Sequence, residues 1–171
     1  GPKLTSFAAP GGRIGRLGAA RRRPMKFPLH IPFVEELGLE LHRFDSGHAE
    51  VQVDLEAAHL NSWEVAHGGV LMTMLDVAMA HAARSVHAKD PGNGPGLVTI
   101  EMKTSFMRPA EGRLAAKGTL LHRSATMALC EGSVFDDDHQ LCAHATATFK
   151  YVRKLPTKGR GAKTLQRKDE A

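Results

Sequence analysis

Hydrophobic and polar residues alternate cleanly over 47–61, GHAEVQVDLEAAHLN, where Ala49, Val51, Val53 and Leu55 fall at every second position. A period of two predicts a half-buried β-strand. From 69 to 87 the pattern changes. Val70, Leu71, Met72, Met74, Leu75, Val77, Ala78, Met79 and Ala80 cover the whole circumference of a helix, which predicts a helix buried on nearly every side. Four more strand-like runs follow at 97–107, 112–124, 126–136 and 140–152. The short connections between them, such as RPAEG and DDDH, predict an antiparallel meander. Ahead of the first strand, IPFVEELGLEL reads as a short helix or turn packed by Phe33, Val34 and Leu37. DPGNGPG, at 90–96, reads as a turn-rich loop. There is no internal repeat. The expected fold class is α+β, an antiparallel β-sheet wrapped around one long central α-helix.

The net charge of +5 would suggest a polyanion binder were it spread over the fold, but it is not. Residues 1–24 hold six cations and no acid, and residues 153–171 hold seven cations against Asp169 and Glu170. Removing +6 and +5 from +5 leaves −6 on residues 25–152. The expected domain is therefore an acidic unit at 25–152 between two basic, solvated tails. The composition of 1–24 suits a cloning remnant ahead of a start at Met25, with an Arg-rich transit peptide as the other reading. No run reaches the roughly 20 apolar residues of a membrane span. Cys130 and Cys142 fall on adjacent strands, with Cys142 expected near Ser133 and facing away from Cys130. A disulfide is therefore not expected, and a reducing, cytoplasmic location is.

Within the helix one residue breaks the pattern. Asp76 is the only formally charged residue between Val65 and Arg84, and its neighbours one turn away are Met72, Thr73, Met79 and Ala80. An unpaired buried carboxylate costs several kcal/mol unless its pKa rises or a partner arrives from elsewhere. Asp76 could also cap a second helix or pair a distant Arg, but a carboxylate held in an apolar helix is what general-base or nucleophilic chemistry needs. Upstream, His67-Gly68-Gly69 suits a helix entrance, where the first amides lack intrahelical acceptors and the helix dipole is positive. Glycines there allow a ligand oxygen to approach the backbone, so the entrance can polarise a carbonyl. Gly68 and Asp76 are eight residues apart, about 12 Å along a helix at about 1.5 Å per residue. One carbonyl cannot touch both. If they serve one site, two antiparallel helices from two subunits must supply them, which predicts a dimer with shared sites.

The spacing Asn61–His67-Gly68-Gly69–Asp76, followed by TIEMKTSFMRPA at 99–110, resembles the hotdog-fold acyl-CoA thioesterases of the phenylacetate-degradation (PaaI-like) branch. The likeness covers about residues 45–152. It implies a five- or six-stranded sheet around the central helix, dimers paired through sheet edges, and dimers of dimers. It further implies that the Gly68 amide binds the thioester oxygen with help from His67. Asp76 of the facing subunit would then be nucleophile or general base, with Asn61 placing water or carbonyl and Thr99 supporting the water. The substrate would be an acyl-CoA, so CoA enters as substrate and no separate cofactor is implied. An acyl tunnel beside the helix would be lined by Trp63, Met72, Met79 and Phe106, and Gly69 would also bind substrate. Arg108 would meet the CoA phosphates, with Arg84, Arg123, Lys150 and Arg153 as further candidate cations. Glu64 departs from the pattern, because the family often has glycine three residues after the Asn.

Other chemistries fit poorly. No histidine pair has helical metal-ligand spacing, and Cys142 with His144 makes only half a site. No nucleophile elbow or phosphate loop is present, and one Trp and one Tyr give no platform for stacking bases. A non-catalytic acyl-CoA-binding sensor remains the alternative, and Asp76 argues against it. A hotdog hydratase is weaker still, since it would want Asp and His together at the helix entrance.

Overall fold

A computed structural model describes residues 23–87 and 95–153. Its elements run α1 (Pro32–Glu36), β1 (Glu40–Asp45), β2 (His48–Asp54), α2 (Gly68–Ser85), β3 (Gly96–Phe106), β4 (Arg113–Arg123), β5 (Met127–Phe135) and β6 (Leu141–Val152), with a 3-10 turn at Ala57–His59. All six strands join one antiparallel sheet in the order β1-β2-β4-β5-β6-β3. The sheet packs its inner face on α2. That face is made of Val51 and Val53 on β2, Leu114 and Ala116 on β4, Cys130 and Val134 on β5, and Ala145, Ala147 and Phe149 on β6, all buried. Small residues let the helix approach closely. At Gly118 a Cβ would overlap the Ala78 carbonyl and lie 2.7 Å from the Met79 nitrogen.

The expected architecture is present, with four corrections. The stretch after α1 is a strand, β1, which pairs with β2 across a turn through Ser46 and Gly47, both at positive φ. Its Leu41 and His42 are both buried around a bulge, so the strand carries no clean period of two. Second, β3 is not the neighbour of β4. The RPAEG segment crosses instead to the far side of the sheet, and β3 pairs with β6 at the edge. Only β4-β5-β6 form the expected meander. Third, Phe33 is 62% exposed, so Val34 alone anchors α1 in the core, with Leu37 partly buried beside it.

The fourth correction concerns α2. The sheet covers most of its surface but leaves a stripe open at Gly69, Met72, Thr73, Asp76 and Ala80, which are exposed or half-buried. These positions share one face of a 3.6-residue helix. The apolar residues around the circumference concealed it. Between this stripe and β3 lies a cleft of about 480 Å³, and Ile31, Phe33 and Val34 of the α1 segment line its other wall. Cys130 and Cys142 are buried free thiols, as expected. Ser133 pairs with His144 rather than Cys142, because Phe135 pairs with Leu141 instead of Gln140 and an irregularity between Val134 and Phe135 adds one more residue of shift. Residues 90–94 of the expected loop and nearly all of both basic tails lie outside the described residues.

Candidate active site

The entrance to α2 is built by a hydrogen-bonded loop. The His67 amide donates to the His59 carbonyl at 2.8 Å, Ala66 to Ala110 at 2.9 Å, and Asn61 to Val65 at 2.9 Å. Asn61 uses its side-chain oxygen to accept from the Trp63 amide at 2.8 Å, a turn that aims the chain into the helix. Glu64 sits at φ +60, in the left-handed region where glycine is favoured. The glycine expected there from the resemblance thus answers a backbone need that Glu64 meets under strain.

His67 is the N-cap, and its Nδ1 accepts the Gly69 amide at 2.9 Å. An imidazole that accepts at Nδ1 is neutral and carries its proton at Nε2. A Cβ on Gly69 would stand 3.1 Å from that Nδ1, so a bulkier residue would crowd the cap. The amides of residues 66, 67, 69, 70 and 71 are all engaged. Among the described residues, the Gly68 amide alone in this turn has no acceptor. It points from the positive end of the helix with one donor unspent, as a carbonyl-polarising group must. The Phe106 ring lies beside it, 3.5 Å from where a Gly68 Cβ would be.

Two turns along, Asp76 lines the cleft with Met72, Thr73 and Thr99. Thr99 Oγ1 donates to Asp76 Oδ1 at 2.7 Å. The register of β3 on β6 slips between Thr99 and Glu101, a bulge of the kind that re-aims a side chain beside a site. Asp76 Oδ2 has no partner among the described residues. Burial pushes the Asp76 carboxyl up, and the Thr99 hydrogen bond pulls it partly back. No cation among the described residues is involved. The result is a carboxylate of raised basicity with one oxygen held and the other open to the cleft.

Of the residues expected at the site, Asp76, Thr99 and Met72 meet in the cleft, while His67, Gly68, Gly69 and Phe106 gather at the helix entrance. Met79 does not line a tunnel. It is fully buried on the sheet side, beneath Gly132. Trp63 projects from the entrance turn, 83% exposed, outside the cleft. Arg108 lies just beyond β3, with its guanidinium 3.5 Å from the Leu141 carbonyl. Sequence reasoning missed Thr73, whose hydroxyl bonds the Gly69 carbonyl at 2.9 Å, although its spacing from Asp76 is helical. It also missed the cleft walls from Ile31, Phe33, Leu97 and Met102, and His81. Burial drives the His81 pKa down to about 4, against the raising effect of its hydrogen bond to Val77, so the ring is neutral.

A model of the thioesterase superfamily matches residues 64–143, from the entrance turn to the start of β6. Over that stretch the chain is similar to the thioesterase superfamily. Among its relatives, the medium/long-chain acyl-CoA thioesterase YigI of Salmonella typhimurium is 27% identical over 135 residues, spanning 72% of this chain and 87% of that protein. The conserved protein PA5202 of Pseudomonas aeruginosa superposes with a TM-score of 0.68 at 29% identity, over 75% of this chain and all of that one. A variant of the phenylacetic acid degradation protein PaaI of Thermus thermophilus gives a TM-score of 0.63 at 27% identity, over 71% of this chain and 100% of that one. Among the described residues, the six-stranded antiparallel sheet and the one long helix make a hotdog thioesterase fold. No helix among the described residues is long and apolar enough to cross a membrane.

Proposed function

We propose that this protein hydrolyses acyl-CoA thioesters in active sites shared between two copies of the chain. The observation that carries the reading is the Asp76–Thr99 pair, an apolar-lined carboxylate with one oxygen fixed and one free. The thioester oxygen accepts from the Gly68 amide of one subunit, supported by the Nε2–H of His67. Asp76 of the other subunit takes a proton from water through Oδ2, and the water oxygen attacks the carbonyl carbon. The tetrahedral oxyanion is held at the helix entrance. As it collapses, the carbon–sulfur bond breaks, and the CoA thiolate leaves and takes up a proton. Medium and long acyl chains are the substrates named for YigI, and the apolar cleft beside Asp76 suits an acyl group.

Two features support the dimer. Among the described residues β3 pairs only with β6, so its other edge is unpaired. That edge and the open stripe of α2 carry exposed Ile100, Phe106, Met107 and Met72. Joining two β3 edges would bring two α2 helices side by side, and pairs of such dimers would leave the sites unchanged. The test is a kinetic screen of short, medium, long and aryl-acetyl CoA thioesters with wild type and Asp76→Asn. Wild type should turn over at least one class, and the variant should lose about 10²-fold or more in kcat while keeping its circular dichroism and its mass in solution. Single turnover in ¹⁸O-water tests Asp76 as the base: label should enter the released acid and leave the protein unlabelled. Equal turnover by the Asn variant would sink the assignment.

A further inference from the structure

Thr73 stands one turn before Asp76 on the open stripe of α2 and lines the same cleft. Its hydroxyl hydrogen is already committed, since Oγ1 donates to the Gly69 carbonyl at 2.9 Å. That carbonyl takes the Thr73 amide by the ordinary helical pattern, so the hydroxyl is not needed to satisfy it. What the bond does is orient the hydroxyl. With its one hydrogen spent, Thr73 Oγ1 can only accept from the cleft. Thr99 Oγ1 is committed in the same way, to Asp76 Oδ1 at 2.7 Å. Asp76 Oδ2 and Thr73 Oγ1 are therefore two neighbouring acceptors that no donor among the described residues serves. Met72 and Ala80, which flank the pair on the stripe, have no oxygen or nitrogen in their side chains. Helix residues three apart have Cβ atoms about 5–6 Å apart, and each side chain leans back over the preceding turn, which carries the Asp76 carboxyl toward Thr73. A water that donates both hydrogens, each at about 2.8 Å, spans acceptors about 4.5 Å apart. The spacing fits one water.

We propose that Thr73 Oγ1 accepts the second hydrogen of the attacking water, while Asp76 Oδ2 takes the first. The inference rests on the thioesterase reading above, since it assigns Asp76 as the base. A water held at Oδ2 alone still rotates about that bond. Held at both hydrogens, it presents its lone pairs to the carbonyl carbon. As the carbon–oxygen bond forms, the first hydrogen passes to Oδ2 as a proton. The second stays on the oxygen and leaves with the product acid. Thr73 makes and breaks no covalent bond.

The experiment uses an acyl-CoA that the wild type hydrolyses, in water and in dilute methanol, with free acid and methyl ester measured together. Methanol has one hydroxyl hydrogen for Asp76 and a methyl group where water keeps its second hydrogen. Thr73→Val keeps the shape of the side chain and removes the acceptor, so water loses a contact that methanol never makes. Its kcat should fall about fivefold or more, as one hydrogen bond implies, and its ester-to-acid ratio should rise by a similar factor. The acid limb of its pH–rate profile should stay in place, because Thr73 does not bond the carboxyl. Thr73→Ser keeps the acceptor and should recover most of the rate together with the wild-type ratio. A merely structural Thr73 would slow both nucleophiles together. An unchanged ratio in Thr73→Val overturns the inference, and the thioesterase reading stands if Asp76→Asn still abolishes turnover. Wild type that hydrolyses no thioester overturns both. Should Thr73→Val fail to fold, Thr73→Ala is read the same way. If no variant forms ester, undiminished kcat in Thr73→Val, or a serine variant no faster than the valine one, overturns the inference.

Discussion

Asp76 stands on a half-buried stripe, and its charge is tolerated because Thr99 holds one oxygen while the cleft admits water to the other. Burial raises its pKa, so the sign of two pH effects follows. Catalysis needs the carboxylate, and kcat/KM should fall as pH drops through a pKa above the ordinary aspartate value. Thr99→Val removes the hydrogen bond that pulls this pKa down, so its acid limb should move to higher pH with a lower plateau. A pH–rate profile identical to wild type would remove Thr99 from the site. Stability runs the other way. A carboxyl whose folded pKa is raised favours the fold when protonated, and that contribution is lost as pH rises through the folded pKa. Asp76→Asn should therefore melt no lower than wild type at pH 7 while losing activity, the opposite of a residue kept for packing. The lone charge and the His-Gly-Gly entrance were legible in the sequence, because each violates the pattern around it. Thr99 was found only through the resemblance, since nothing local in a strand announces a hydrogen bond to a helix 23 residues away. His81 was hidden among apolar neighbours, where a histidine gives no signal until its partners are seen.

The helix and the central meander were readable as elements because their periods are long and regular. What failed was pairing and facing. The position of β3 at the sheet edge depends on the path of the 107–112 crossover, which is tied to Ala66 and Cys142 by the Ala66–Ala110 and Met107–Cys142 backbone bonds. Such contacts have no local signature. The open stripe of α2 was obscured because Met72 and Ala80 look like core residues, and whether they are covered depends on where the sheet ends. The closest approach of helix and sheet was equally silent: Gly118 reads as an ordinary strand glycine, yet it admits the backbone of Ala78 and Met79. Neither neighbour is a flexible side chain that can yield. Gly118→Ala should therefore force α2 off β4 and cost about 3 kcal/mol or more, visible as a lower urea midpoint. Activity should fall with it, since α2 carries both halves of the chemistry. A midpoint within error of wild type would show that the helix can shift at this crossing without penalty.

At the scale of the whole molecule, the same unbroken helix holds the Gly68 amide at its first turn and Asp76 about 12 Å farther along, so one chain cannot present both to one carbonyl. The shared-site proposal can be tested by subunit mixing. Gly68→Pro removes the one free amide of the entrance and little else. Gly68 is the first residue of α2, where proline is accepted, and His67 already has the extended backbone, φ −62 and ψ 137, that a residue before proline requires. A proline Cβ would meet the Phe106 ring at an ordinary 3.5 Å. Alone, Gly68→Pro should fold and lose about 10²–10³-fold in kcat, the effect of one oxyanion donor. Asp76→Asn alone is expected to be comparably poor. In a mixed dimer the two lesions fall together in one site, and the other site has an intact Gly68 from one chain and an intact Asp76 from its partner. Random reassembly after denaturation of an equal mixture makes half the dimers mixed, so about a quarter of wild-type activity should return. Titrating the ratio of the two variants should trace a maximum at equal amounts. If each chain carried its own complete site, every site in the mixture would keep one lesion, and no ratio would restore turnover. Recovery thus depends on the antiparallel placement of two helices, which neither half of the chemistry can show separately.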